Sequence, residues 1–249
     1  MDLEHYRASE REQLRTSDLL RLIPQHGQTA LDIGARDGHF SRLLAERFDK
    51  VVALDLTKPP IEHPRIECVA GDATRLQFGD NSFDFVFCAE VLEHIPSDGL
   101  NISCSELARV TRQHLLIGVP YQQDLRVAQT TCSNCGTTNP PWGHVNRFDE
   151  NRLQELFSTL YVETQSYVGE TREITNWVSA WLMNIAGNPY GTYDQDELCV
   201  HCGLPLTPPP PRTVPQRILT RIACTLTKWQ QAITAPHANW LHGLYRKPA

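Results

Sequence analysis

The stretch TALDIGARDG, at residues 29–38, decides how the rest of the chain can be interpreted. Residues 29–33 are apolar enough for a short buried strand, and Gly34 and Gly38 then frame a turn. Apolar side chains at helical spacing follow: Phe40, Leu43, Leu44 and Phe48. A strand that passes through a glycine turn into a helix predicts the first unit of an α/β fold.

The alternation of strands and helices continues beyond this unit. Apolar runs predict strands at residues 51–56, 66–69, 83–88, 115–119 and 161–168, with helices around 103–111 and after Asp149. Strands that alternate with helices at these lengths indicate a mostly parallel sheet covered on both faces. The ends of the chain add a predicted helix at residues 3–23, an amphipathic helix at 214–233 and a last edge strand at 240–245.

Small and acidic residues follow the first three predicted strands. Glycines let the backbone approach a ligand closely, and the free amides of a helix start favour polar groups. Asp55 ends the second strand, where a carboxylate can accept hydrogen bonds from both hydroxyls of a ribose. Asp72, between Gly71 and Ala73, follows the third strand, where it can meet an adenine amino group. Together these positions predict a nucleoside site at the carboxyl edge of the sheet.

The order of these motifs resembles the class I S-adenosylmethionine-dependent methyltransferases, in particular the methyltransferase type 11-like small-molecule group. Residues 31–38 are similar to the first motif of that group, Asp55 to its ribose-binding acid and residues 71–73 to its adenine-binding turn. Residues 83–95, FDFVFCAEVLEHI, are similar to its fourth-strand motif. The resemblance implies a Rossmann-like, seven-stranded, mostly parallel sheet. Arg36 departs from the pattern, because the group often has glycine there.

The resemblance also implies the residues that hold S-adenosylmethionine: Asp32, Gly34, Ala35, Gly38, Asp55, Leu56, Asp72, Ala73, Ala89 and Glu90. Methyl transfer to an alcohol or phenol further needs a base. His94, just past the fourth strand, and His144, after the fifth, are the catalytic candidates. The alternatives are that His94 packs against the following helix and that His144 orders its own loop.

Four of the eight cysteines form two Cys-x-x-Cys-Gly units, Cys132 with Cys135 and Cys199 with Cys202. Two such knuckles provide four thiolates for one tetrahedral Zn²⁺. A complete thiolate shell leaves no position for water, so we expect a structural zinc rather than a catalytic one. The alternatives are a redox dithiol, four buried thiols, or a site in which His201 replaces one sulfur.

Charge argues against broad nucleic-acid binding, because the formal net charge is −6 and such binding relies on lysine and arginine. The segment 204–249 is different, since it has no Asp or Glu and is about +6. It carries Arg212, Arg217, Arg221, Lys228, Arg246 and Lys247. This basic tail is interpreted either as a solvated helix face or as a contact with an anionic substrate, a phosphate or, weakly, a membrane surface. With no signal-peptide pattern or apolar run of membrane-spanning length, we expect a cytoplasmic protein.

We therefore predict an N-terminal helical cap at residues 1–26, a methyltransferase domain at 27–170 and 239–249 that includes the knuckle loop 121–146, and an insertion at 171–238. The expected reaction is O-methylation of a small or medium acceptor, such as a sugar, glycolipid precursor or natural product. The alternatives are an RNA methyltransferase and a non-catalytic scaffold that retains the fold. The sequence does not determine the oligomeric state.

Overall fold

The computed structural model describes residues 7–248 and contains nine strands and six α-helices within that range. In chain order the strands are β1 (Gly27–Ile33), β2 (Phe48–Asp55), β3 (Ile66–Ala70), β4 (Phe83–Ala89), β5 (Thr111–Pro120), β6 (Thr130–Thr131), β7 (Thr138–Asn139), β8 (Tyr161–Val168) and β9 (Trp240–Arg246). The helices are α1 (Glu10–Leu22), α2 (His39–Ala45), α3 (Ser97–Val110), α4 (Glu150–Leu156), α5 (Trp177–Ile185) and α6 (Val214–Ile233).

Seven of the strands form one sheet in the order β3-β2-β1-β4-β5-β9-β8. The first five in that order are parallel, and β9 runs antiparallel to both of its neighbours. This arrangement confirms the predicted Rossmann-like, seven-stranded, mostly parallel fold.

Alternate residues of the central strands supply two hydrophobic cores, one on each face of the sheet. On β4, Val86 and Cys88 belong to the core that includes Leu107 of α3, whereas Phe85 and Phe87 belong to the core that includes Leu19 of α1. Because both faces are covered, β4 is apolar from Phe85 to Ala89 rather than alternating.

The predicted position of the last strand as an edge strand is wrong. β9 lies between β5 and β8, and β8 is the edge strand instead. The burial pattern explains the difference, since residues 240–245 are all buried whereas β8 is mostly exposed. His242 fits this interior position because its Nδ1 lies 2.7 Å from Oδ2 of Asp18 on α1.

The N-terminal helix is shorter than predicted. α1 begins at Glu10, and residues 3–6 of the predicted helix lie outside the described residues. The helix after β4 is longer than the predicted 103–111, because α3 begins at Ser97, after a turn at residues 92–94.

Contacts divide the chain into two compact units. The sheet unit comprises Glu10–Tyr121, Phe148–Gly169 and the residues from Trp240 onward, and the cysteine unit comprises Gln122–Arg147 and Glu170–Asn239. The knuckle loop thus belongs with the second cysteine pair, whereas the predicted division assigned it to the methyltransferase domain. None of the helices within residues 7–248 has the length and apolar character needed to cross a membrane.

Candidate cofactor site and cysteine cluster

The carboxyl ends of β1, β2, β3 and β4 meet at one edge of the sheet. The predicted cofactor residues of the sheet unit lie at or just beyond these ends. Open α/β sheets bind ligands at this edge, next to the strands where the order reverses. In this chain the strand order reverses between β1 and β4, which are neighbours in the sheet but not in the sequence.

The turn after β1 requires glycine at both of its ends. Gly34 has φ of 76°, and a Cβ there would lie 2.4 Å from Cγ2 of Val91. Gly38 has φ of 82°, and a Cβ there would lie 2.3 Å from Cδ1 of Ile61. Both the left-handed backbone and the close neighbours therefore exclude a side chain.

Arg36 takes a left-handed conformation without being glycine, with φ of 46°. Its backbone N–H donates to Oδ2 of Asp55 over 2.8 Å, and the N–H of Leu56 donates to Oδ1 over 2.7 Å. The Asp55 carboxylate therefore joins the β1 turn to the end of β2. Each of its oxygens keeps a second lone pair with which to accept a further hydrogen bond.

The other predicted adenosine-facing residues lie in turns on the same side of the sheet. Asp72 is exposed, and its Oδ1 accepts a hydrogen bond from the N–H of Thr74 at 2.8 Å. Ala73 is buried, whereas the Leu56 side chain is 76% exposed. An exposed leucine next to Asp55 offers an apolar surface to a base or a sugar.

Asp32 lies inside the sheet unit rather than on its surface. Its Oδ2 accepts a hydrogen bond of 2.5 Å from the hydroxyl of Ser41 on α2, which ties the helix to β1. Burial, together with the nearby Asp55 carboxylate, raises the pKa of Asp32 to about 7, although the hydrogen bond from Ser41 lowers it.

The turn after β4 carries two acidic side chains. Glu90 follows Ala89 with φ of 56°, and its N–H donates to the carbonyl of Gly118. Glu93 is fully buried, and neither of its carboxylate oxygens has a hydrogen-bond partner in the described part of the chain. Burial, together with repulsion from Glu90, raises the pKa of Glu93 well above its usual range.

The two histidine candidates lie in different units. His94 belongs to the sheet unit, where a ring nitrogen lies within 4.8 Å of a carboxylate oxygen of Glu93. His144 belongs to the cysteine unit, is buried, and has its Nδ1 2.6 Å from Oε1 of Gln123. The sequence interpretation missed Glu93, although its position one residue before His94 in a buried turn was available as a signal.

The four cysteines of the two knuckles come together in the cysteine unit. Their four Sγ atoms all lie within 4.8 Å of one another. The Sγ–Sγ distances are 3.6 Å for Cys132 with Cys202 and 3.6 Å for Cys135 with Cys199. Sulfurs that surround one zinc tetrahedrally at 2.3 Å are about 3.8 Å apart, and a disulfide would bring two of them to about 2.0 Å. The separation therefore suits a shared metal and not a disulfide. His201 is exposed and does not belong to the cluster.

The two knuckles have the same backbone geometry. The N–H of Gly136 donates to the carbonyl of Cys132, and the N–H of Gly203 donates to the carbonyl of Cys199, each over 2.9 Å. Both glycines have positive φ, 71° and 68°. The equivalent turns explain why each Cys-x-x-Cys pair is followed by glycine.

A cavity of about 510 Å³ lies at the opposite edge of the sheet, near the amino ends of β1, β4 and β5. Its central carboxylate, Asp84, accepts hydrogen bonds from the backbone of Gln28 and Thr29 and pairs with Arg112. These bonds already use the polar groups to join strand ends. We therefore assign the cofactor site to the carboxyl edge, despite the size of this cavity.

Comparison with known proteins agrees with this geometry. The fold and the site define an α/β protein with glycine and acidic turns at the carboxyl edge of its sheet. Residues 31–116 match the family described as methyltransferase domain. By this match and by its fold, the sheet unit is similar to the class I S-adenosylmethionine-dependent methyltransferases.

The sequence is similar to a demethylmenaquinone methyltransferase of Renibacterium salmoninarum, with 38% identity over 102 residues. That alignment covers 38% of this chain and 40% of the relative. The chain covers between 18% and 42% of the length of four curated relatives that it matches.

Solved structures share the fold at low sequence identity. The N-methyltransferase NodS of Bradyrhizobium japonicum WM9 superposes with a TM-score of 0.54 and 14% identity, covering 98% of this chain and 99% of NodS. NodS was also solved with S-adenosyl-L-homocysteine. The [4+2]-cyclase SpnF has a TM-score of 0.54 and 15% identity, with 94% and 80% coverage. Because a cyclase shares the architecture, the fold alone does not define the reaction.

The buried Asp32 predicts a pH-dependent stability. Its carboxyl keeps a proton up to about pH 7 in the folded chain but loses it near pH 4 when unfolded. Between these values the folded state binds more protons, so rising pH destabilises the wild type, whereas Asp32→Asn removes this titration. From pH 5 to pH 7 the free energy of unfolding of the variant should rise by about 2 kcal/mol relative to the wild type, measured by urea unfolding. A difference that stays constant with pH would contradict the assignment.

Proposed function

We propose that this protein transfers a methyl group from S-adenosylmethionine to an oxygen of a small or medium acceptor. The observation that carries the proposal is the pair of hydrogen bonds from the amides of Arg36 and Leu56 to Asp55. They hold a carboxylate beside a glycine turn at the ligand-binding edge of the sheet, with lone pairs left for the two ribose hydroxyls. When bound, the cofactor would supply an electrophilic methyl group on a sulfonium.

The residues proposed to hold the cofactor have separate tasks. The turn of Gly34, Ala35 and Gly38, whose N–H groups donate to carbonyls within the chain, would lie against the amino acid part, and Asp32 fixes the adjoining helix to β1 through Ser41. Leu56, Asp72 and Ala73 would lie against the adenine, and Ala89 with Glu90 would close the side formed by β4. The fit rests on two glycines whose left-handed backbone and close packing against Val91 and Ile61 shape the turn at the ligand-binding edge.

Calorimetry with S-adenosylhomocysteine tests the cofactor site. We expect micromolar or tighter binding, and at least a tenfold loss in Asp55→Ala, because a hydrogen bond to a charged group contributes about 1.5–3 kcal/mol. Asp49→Ala is the matched control, since Asp49 is an exposed aspartate on the same strand. Its affinity should equal that of the wild type.

Two outcomes would contradict the proposal. One is a folded protein that does not bind S-adenosylhomocysteine, which would favour a scaffold. The other is an Asp55→Ala variant that keeps the unfolding midpoint and the affinity of the wild type.

For the base we propose His94, with the buried Glu93 carboxyl beside it and His144 as the second candidate. In an O-methylation the imidazole would take the acceptor proton as the new carbon–oxygen bond forms. Once a screen of sugars, glycolipid precursors and phenolic natural products has given an acceptor, His94→Ala should lower kcat by about 10² or more. The affinity for S-adenosylhomocysteine should not change. His26→Ala, at the opposite edge of the sheet, is the control, and an unchanged kcat in His94→Ala would exclude the base role.

We also propose that the four-cysteine cluster holds one structural Zn²⁺. Two sulfur–sulfur distances of 3.6 Å and four sulfurs within 4.8 Å of one another support a tetrahedral thiolate site. With four protein ligands the ion would have no open position, so it would stabilise the cysteine unit and take no part in the reaction.

The proposed division into a helical cap (1–26), a methyltransferase domain (27–170 and 239–249) and an insertion (171–238) remains a functional proposal.

Metal analysis of the purified protein tests the zinc proposal. We expect one zinc per chain, and its loss in Cys132→Ser and Cys199→Ser with a lower unfolding midpoint, because binding to the folded state alone stabilises it. Cys224→Ser is the control, since this thiol lies on α6 outside both knuckles. A metal-free wild type that is folded and has four reactive knuckle thiols would contradict the assignment.

A further inference from the structure

The longest helix of the cysteine unit is packed by its polar face. The side chains of Thr220 and Ala223 are buried, the hydroxyl of Thr227 lies 2.8 Å from that of Thr175, and Gln231 donates to the carbonyl of Ile174. The face of α6 opposite these residues is an exposed apolar stripe. It consists of Val214, Ile218, Ile222, Trp229 and Ile233. α6 therefore buries its polar face and exposes its apolar face, whereas a helix that covers a protein core does the opposite.

The neighbouring helix repeats this arrangement. α5 packs against α6 and exposes Trp177, Trp181 and Ile185, which lie four residues apart on one stripe. The exposed fractions of the Trp177 and Trp229 side chains are 72% and 71%, so three of the five tryptophans of the chain are exposed on these two helices. We call the exposed apolar stripes of α5 and α6 the two-helix surface. Monomers rarely leave so many large apolar side chains exposed on neighbouring elements.

The two helices that form this surface carry charge of one sign. α5 has no charged residue, and α6 has no acidic one. At about 100° per residue, Arg217, Arg221 and Lys228 fall together along one side of the apolar stripe of α6. All three are exposed, and none forms a salt bridge within residues 7–248. By contrast, Lys247 of the same basic tail donates to carbonyls at the end of α3.

We propose that the two-helix surface docks onto an anionic lipid bilayer. Helices that lie in the membrane interface have a tryptophan-rich apolar face bordered by arginine and lysine. Anionic headgroups complement the three cations, and the acyl region accepts the apolar side chains. A second copy of the chain fits less well, because a twofold contact would double the three cations while neither helix provides an acidic residue to pair with them. This docking is independent of the proposed methyl transfer.

Vesicle flotation with the full-length, zinc-loaded protein tests the proposal. The wild type should bind vesicles of phosphatidylcholine with 30 mol% phosphatidylserine much more tightly than phosphatidylcholine alone, and added salt should weaken the binding. Each cation near such a surface contributes about fivefold, so R217Q/R221Q/K228Q should weaken binding by about a hundredfold. W177Q/W229Q should also lose binding, together with the blue shift of tryptophan emission. Ile102→Gln, an exposed apolar residue on α3, is the matched control and should bind as the wild type.

Three outcomes would overturn the proposal. The first is a folded wild type that does not bind the anionic vesicles. The second is equal binding to neutral and anionic vesicles, which removes the role of the basic edge. The third is a dimer in solution that W177Q/W229Q abolishes while vesicle binding is absent, which assigns the surface to a second copy. Circular dichroism of each variant keeps a loss of fold separate from a loss of docking.

Discussion

The hydrogen bonds that Arg36 and Leu56 donate to the Asp55 carboxylate are the interactions on which the candidate cofactor site depends. They fix the β1 turn against the end of β2, so that the glycine backbone and the acid face the same space. Asp32 supports the same turn from inside the sheet through Ser41. Two carboxylates thus hold one loop, the first with its outer lone pairs open to a ligand and the second closed within the core.

Arg36 shows how backbone geometry can persist where a motif changes. The resemblance did not predict the conformation of this turn, because related proteins often have glycine at the position of Arg36. The structure keeps the left-handed backbone, and the N–H that this conformation presents is the one that Asp55 binds. A non-glycine residue in this region costs about 1–3 kcal/mol unless its surroundings repay it, and the charge-assisted hydrogen bond is that compensation.

Local sequence predicted the strands, the glycine turn and the acids at strand ends, because each depends on a few neighbouring residues. The order of the strands within the sheet was harder to predict from the sequence. Residues 240–245 are buried on both faces, which is typical of an interior strand, but their partners β5 and β8 are distant in sequence. The exposed face of α6 could not be predicted either, since a 3.6-residue pattern gives a stripe and not its direction. Glu93 was overlooked because a buried acid has no periodic signal.

The cysteine unit illustrates the same limit in another form. Identical spacing in the two Cys-x-x-Cys-Gly units predicted that they would meet, and the sulfur distances agree with that prediction. The surface of the helices between and after the knuckles had no such signature. The same limit applies to function. Motifs in the sheet unit predict the candidate cofactor site, whereas the side chains that select the acceptor belong to no motif.

Hydrogen–deuterium exchange with and without S-adenosylhomocysteine tests the position of the cofactor site, because it compares the two edges of the sheet in one experiment. We expect slower exchange of the amides at residues 34–38, 55–57 and 71–73 on adding the ligand. Exchange near residues 26–28 and 112–114, beside the large cavity at the opposite edge, should not change. Protection at that opposite edge, or no protection at the carboxyl edge at saturating ligand, would contradict the assignment of the cofactor site.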